Sequence, residues 1–196
     1  MRRFYFVVWM VATACAHPAR ERSSDRDSVD MAVYKAVLDS MFTPRAESRF
    51  YRIAITDSTE VYKRENNPAV IASLLQVPGV DSAAARDFAG RSYQAHSLKG
   101  ISKLRLRMPV LLLDPNALIS LPRQEPYRYW KEFYERFPGT SGLISLSAIG
   151  YNADGNLGVL MVDVGCGGLC GNGYIVVVKR ENGRWHPATI QGTWIS

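Results

Sequence analysis

Histidine and cysteine are scarce, with three of each in 196 residues. So few soft ligands exclude a disulfide-dense scaffold, and no four-ligand zinc set is evident. A strong charge excess is also missing. Against 18 Asp and Glu stand 24 Lys and Arg, a net +6. Loss of Arg2 and Arg3 with a leader would bring this to about +4, which does not by charge alone mark a nucleic-acid binder. The apolar stretch from Phe4 to Ala12 is too short to cross a bilayer as a stable helix, which takes roughly 20 residues. No G-x-S-x-G elbow and no D-x-D-x-D-G calcium run occurs. The histidines His17, His96 and His186 fall in unrelated surroundings, and Asp163, Glu125, Glu132 and Glu135 form no recognisable glycosidase pair.

The N-terminus carries the clearest address. "MRRFYFVVWMVATAC" places Arg2 and Arg3 before an apolar stretch and small residues before Cys15. That is the order of an export signal over 1–14. "VATAC" resembles a bacterial lipobox, in which the cysteine is lipidated on sulfur and becomes the first mature residue. Ala12-Thr13-Ala14 is also an A-x-A site for ordinary signal peptidase, and both routes cut after Ala14. Lipidation at Cys15 is preferred, because a bare thiol there would stand exposed in an oxidising compartment. Without an aspartate at Ala16, the outer membrane is the expected address. The alternative is a soluble periplasmic or secreted protein.

Residues 15–27 read as a lipidated N-terminus and polar tether, and 28–196 as a single α+β domain. "SVDMAVYKAVLDSMF" spaces Val29, Val33, Val37 and Met41 for a helix capped by Ser28, with Asp30 in its first turn. "RFYRIAITDST" predicts a strand. Short helices follow around "PAVIASLLQ" and "DSAAARDFAGR", the second capped by Asp81. In "SKLRLRMPVLLLD" strand alternation puts Lys103, Arg105 and Arg107 on one face. Such a face is either solvated or meets anionic lipid headgroups. "EPYRYWKEFYERFPG" predicts a helix with Tyr127, Trp130, Phe133, Tyr134 and Phe137 along one side. That side either fills core or lines an apolar ligand pocket between helix and sheet. From Gly142 the period changes to two. Four strand candidates separated by "NADGN", a Gly/Cys loop and "ENG" predict a four-stranded antiparallel meander packed against helices.

The Gly/Cys loop "DVGCGGLCGNGYIVVV" invites three chemical readings. No Lys follows the glycines as a phosphate loop requires, and Cys170 stands where the third glycine of a dinucleotide fingerprint belongs. The segment that follows is strand-like, so no helix N-terminus would face a phosphate. Cys166 and Cys170 are three residues apart, against two in a thioredoxin-type motif, and His186 alone does not complete a metal site. In an oxidising compartment, with Cys15 lipidated, the two remaining thiols form an even count. A Cys166–Cys170 disulfide is the expected outcome, with the glycines supplying unusual backbone angles and Leu169 and Asn172 presented at the tip to a partner.

Trp130, Phe133, Tyr134, Pro138, Ser141 and Gly142, then Gly173, Tyr174, Asn182, Gly183, Trp185 and the terminal Trp194-Ile195-Ser196 together form a pattern. It resembles a group of bacterial secreted proteins and lipoproteins with W-x-x-F-Y-x-x-[FY]-P-x-[ST]-x-G, a Gly-rich loop before G-Y, N-G-x-W and a terminal W-I-S. The resemblance implies export and brings no activity or catalytic residues. Some members have the glycine loop without its cysteines. The expected function is a non-catalytic envelope module, without cofactor or bound metal, that binds a protein, glycan or lipid partner. The competing expectation is a small secreted enzyme, a hydrolase or thiol-based, with an unrecognised active site.

Overall fold

The computed structural model describes residues 19–44, 50–62 and 67–196; the expected signal segment and Cys15 lie outside them. The chain forms α1 (Ala19–Met41), β1 (Arg52–Thr56), α2 (Asn67–Leu75), α3 (Ser82–Arg91), a 3-10 turn (Lys99–Lys103) and β2 (Val110–Leu113). It continues through α4 (Asn116–Ile119), α5 (Pro126–Arg136), β3 (Thr140–Leu146), β4 (Gly150–Tyr151), β5 (Leu157–Gly167), β6 (Cys170–Glu181) and β7 (Arg184–Ile195). The sheet runs β2-β1-β3-β5-β6-β7, with β4 pairing β5. Strands β3, β5, β6 and β7 are the expected antiparallel meander. Strands β1 and β2 extend it as a parallel edge, since β1 pairs both β2 and β3 in parallel.

Strand alternation divides the core between two faces. On one, Val33, Tyr34, Val37 and Leu38 of α1 cover Ile53, Ile55, Ile144, Leu160, Val162 and Val176. On the other sit two separate packings. Leu74, Ala84 and Phe88 of α2 and α3 cover Val159, Ile175 and Val177. Phe133 of α5, with Leu118 and Leu121, covers Ala54, Leu113 and Leu143. The space between these two packings holds the candidate site. Among the described residues no helix is long and apolar enough to cross a membrane.

Several local expectations change. Helix α1 begins nine residues before Ser28, so Ser28 is no cap. The upstream residues lack apolar periodicity but include strong helix formers, Ala19, Arg20, Glu21 and Arg22. Arg26 pairs with Asp87 and lies over the Tyr151 ring, so the domain reaches at least that far upstream and the tether does not extend to residue 27. Asp30 is not in a first turn. It is 5% exposed and accepts from Arg91 Nη2 at 2.7 Å and from the Tyr151 hydroxyl at 2.8 Å. Its neighbour Tyr34 donates to Ser147 O, and burial raises the Tyr34 and Tyr151 hydroxyls well above their usual range.

The basic stretch at 103–107 is not a strand. Lys103 closes the 3-10 turn, and the Arg107 amide donates to Asp39 Oδ1 at 2.6 Å. Burial would raise the Asp39 carboxyl. The Lys35 hydrogen bond, the Arg107 amide and both positive charges outweigh that and hold it low. Asp81 caps α3 as expected, accepting from the Ala84 amide at 2.8 Å. The β6–β7 turn is Asn182-Gly183, both at positive φ (50° and 77°), the type I′ geometry that an Asn-Gly hairpin adopts. Edge strand β7 carries two register shifts, which leave Ala188 and Thr193 as extra residues.

Candidate functional site

Parallel pairing of β2, β1 and β3 sends their connections in opposite directions. From β1 the chain leaves through 57–62 toward α2; from β2 it crosses through α4 and α5 to β3. A crevice outside the carboxyl ends of parallel strands, where connections part, is the usual place for a ligand in such sheets. Here it is a cavity of about 610 Å³, within the range of small-molecule sites. The exit of β1 supplies Ser58, Thr59, Glu60 and Val61, the crossover supplies Leu118, Arg123, Tyr129 and Trp130, and β3 supplies Leu143 and Ser145.

Local bonding builds the β1 side. Thr56 donates from its hydroxyl to Ser58 O at 2.9 Å, and Thr59 Oγ1 accepts from the His96 amide at 3.0 Å. These bonds fix the turn that carries Ser58 and Glu60. On the α5 side Trp130 is set edge-on to both Tyr129 and Phe133, with ring centroids 5.2 Å apart in each pair. Pro126 opens α5 at its first turn, where a missing N–H costs nothing. Tyr127 is 84% exposed and does not share the buried side of α5, contrary to the spacing argument; Tyr129 takes that place. The helix is rotated so that Trp130 and Phe133 centre on the sheet, a choice that contacts make and spacing alone does not.

The site keeps unused polar capacity. The hydroxyls of Ser58 and Ser145, the guanidinium of Arg123 and the indole N–H of Trp130 make no hydrogen bond or ion pair with other described residues. Charge is arranged by side. Burial raises the Tyr129 hydroxyl and the nearby Arg123 charge lowers it, which puts a positive potential on the crossover side. Asp163, in register with Ser145, lies toward the other end. Burial raises its carboxyl, a hydrogen bond from Trp194 works against the rise, and the negative charge of Glu60 adds to it. Tyr62 is raised by burial and then by Asp163 and Glu60.

Cys166 and Cys170 form a disulfide, with Cα atoms 5.0 Å apart across the β5–β6 hairpin. The ladder closes at Gly167 and Cys170, which leaves only Gly168 and Leu169 in the turn. Leu169 is 91% exposed at the tip. Asn172 is not at the tip: it sits inside β6, paired with Val164 and Ile195. The sequence expectation of unusual glycine angles also fails. None of Gly165, Gly167, Gly168, Gly171 or Gly173 has a positive φ.

The glycines are needed for space. A Cβ on Gly165 would lie 3.0 Å from Trp130 Cζ2. One on Gly173 would lie 2.0 Å from Trp194 Nε1, and one on Gly171 2.8 Å from Trp194 Cζ3. The hairpin base is therefore a bare platform on which two indoles lie. Tyr134 adds a hydroxyl bond to Cys166 O at 2.9 Å. Because Trp130 both rests on Gly165 and lines the cavity, the glycine loop is a support for the site and not itself a ligand cradle. Sequence reading missed Ser58, Glu60, Arg123, Tyr129 and Ser145. The one available signal was Trp130, weighed there as core filler or pocket lining.

Comparison of the chain with protein-family models, with curated proteins and with solved structures found no match.

Proposed function

We propose that this chain is a non-catalytic binding module of a bacterial envelope, anchored by a lipidated Cys15, that takes its ligand in the cavity between α5 and the 57–61 segment. One observation carries the reading: a cavity of about 610 Å³ lined by ordered aromatic rings still holds unpaired hydrogen-bonding groups. These groups are open to solvent and not buried in core, so a ligand entering the crevice reaches both them and the preset rings. The leader-like N-terminus, the lipobox-like "VATAC" and the resemblance of the C-terminal half to secreted bacterial proteins support the envelope placement.

A photo-crosslinking residue at Val61, which lines the cavity and is 52% exposed, tests the reading in the native envelope. The same residue at exposed Lys179 is the control. A discrete adduct at 61 that is absent at 179 is the expected result. Equal or no adduct at both positions overturns it.

A further inference from the structure

The two sides of the cavity differ in chemistry, and that difference narrows the ligand. We infer that the site takes a saccharide; the inference deepens the binding reading above and rests on it.

The crossover side offers Leu118, the rings of Tyr129 and Trp130 and, at one end, the Arg123 guanidinium, while the β1 side and floor offer Ser58, Glu60 and Ser145 beside the apolar Val61 and Leu143. A pyranose ring is divided in the same sense, with an apolar C–H face and a rim of hydroxyls. Each hydroxyl donates and accepts, so one rim can satisfy the donor-only Trp130 N–H and Arg123, the acceptor-only Glu60 carboxylate and the two serines. The planar guanidinium and carboxylate each suit a pair of neighbouring hydroxyls.

Other occupants fit less well. An acyl chain would bury the serine hydroxyls and the Trp130 N–H without partners, which is unfavourable. A phosphate drawn to Arg123 would also meet the field of Glu60 and Asp163; a simple cation would meet Arg123. A neutral polyhydroxylated ligand conflicts with none of these. The aromatic side is also set in advance. Trp130 is fixed by Gly165 beneath it and by Tyr129 and Phe133 beside it, so little ordering cost remains for binding.

The test applies the full chain to an array of hexose, N-acetylhexosamine and hexuronate oligomers and titrates the best free oligosaccharide by calorimetry. Binding is expected to weaken about tenfold in Glu60→Gln and in Ser145→Ala, changes that alter a polar group without opening the core. Tyr127→Ala, at an exposed position off the cavity, leaves it unchanged. Absence of any glycan binding overturns the inference, as does binding that no cavity variant alters. A dansylated fatty acid serves as the second probe. If it binds, is weakened by Leu118→Ser and no glycan binds, the saccharide assignment falls and the binding module stands. If neither probe binds and the crosslinker at 61 gives no adduct, both fall.

Discussion

The indole N–H of Trp194 donates to Asp163 Oδ1 at 2.9 Å while its ring lies against Gly171 and Gly173. The C-terminal strand is thereby tied across β6 to β5, next to the floor of the cavity. Three glycines, one carboxylate and two tryptophans thus form one construction, and its parts can be tested separately.

Gly173→Ala places a methyl 2.0 Å from Trp194 Nε1, on a backbone with ordinary φ. The expected cost is about 1–3 kcal/mol, the range for overpacking a fitted contact. Gly192→Ala, whose added methyl meets nothing within 4 Å, is the matched control and should shift stability by roughly 0.5 kcal/mol or less. Urea denaturation distinguishes them, and equal midpoints would show that the indole seat has no energetic role.

Stability should depend on pH through Asp163. Burial and Glu60 raise its carboxyl above the ordinary 3.8 despite the Trp194 bond. The folded state then holds a proton that the unfolded state has lost. Stability is fullest below 3.8 and falls as pH rises through the folded value. Asp163→Asn keeps an acceptor for Trp194 and removes the titration. Its urea midpoint should be flatter against pH than that of the parent above pH 3.8. An unchanged slope would assign the dependence to other groups.

Arg91→Ala leaves Asp30 buried without its cation. Both side chains are largely covered, 13% and 7% exposed. Breaking one partner of such a pair costs about 3–5 kcal/mol, whereas removing both charges costs less, the remainder coming from the Tyr151 hydroxyl and Ile149 O left without their partners. Denaturation of Arg91→Met with Asp30→Leu beside the single variant should show that difference. If the double variant is the less stable, the pair contributes directly.

The disulfide closes a five-residue ring from Cys166 to Cys170. In the loop-entropy account it contributes about 2 kcal/mol. Native protein should leave both sulfurs unlabelled by a thiol reagent. Cys166→Ser with Cys170→Ser should lose about that much while keeping near-ultraviolet dichroism from Trp130 and Trp194, since the glycine platform does not involve the thiols. Loss of the aromatic signal would make the staple a condition of the platform.

Intact mass of protein extracted from membranes should show acyl chains on Cys15. An N-terminus at Cys15 without added mass would favour the ordinary peptidase route, and an N-terminus at Met1 would remove export altogether.

What could be read from the sequence depended on whether the signal was local. Helix α5 shows because Trp130, Phe133 and Phe137 recur at helical spacing, and the Asn182-Gly183 turn shows because few residues tolerate its angles. Tyr127 was misplaced because spacing gives a stripe, not the rotation that contacts select. The alternation at Lys103, Arg105 and Arg107 imitates a strand, but the main chain there is held by Asp39, a residue 68 positions away. Asp30 looked like a helix-start acid, and only the fold brings Arg91 to it. The cavity suffers most from this limit. Its residues come from four separate segments, three of which meet through the parallel pairing of β1 with β2 and β3, and no short window contains that pairing.

Edge strand β7 has a consequence for strand addition. A free edge of twelve residues is a template onto which another chain can add. The extra residues at Ala188 and Thr193 break this edge into regular runs of at most four residues, and Pro187 removes one donor. The edge therefore offers no single long uninterrupted ladder. The long C-terminal hairpin can thus support the platform from one side while its outer margin is a broken template for strand addition.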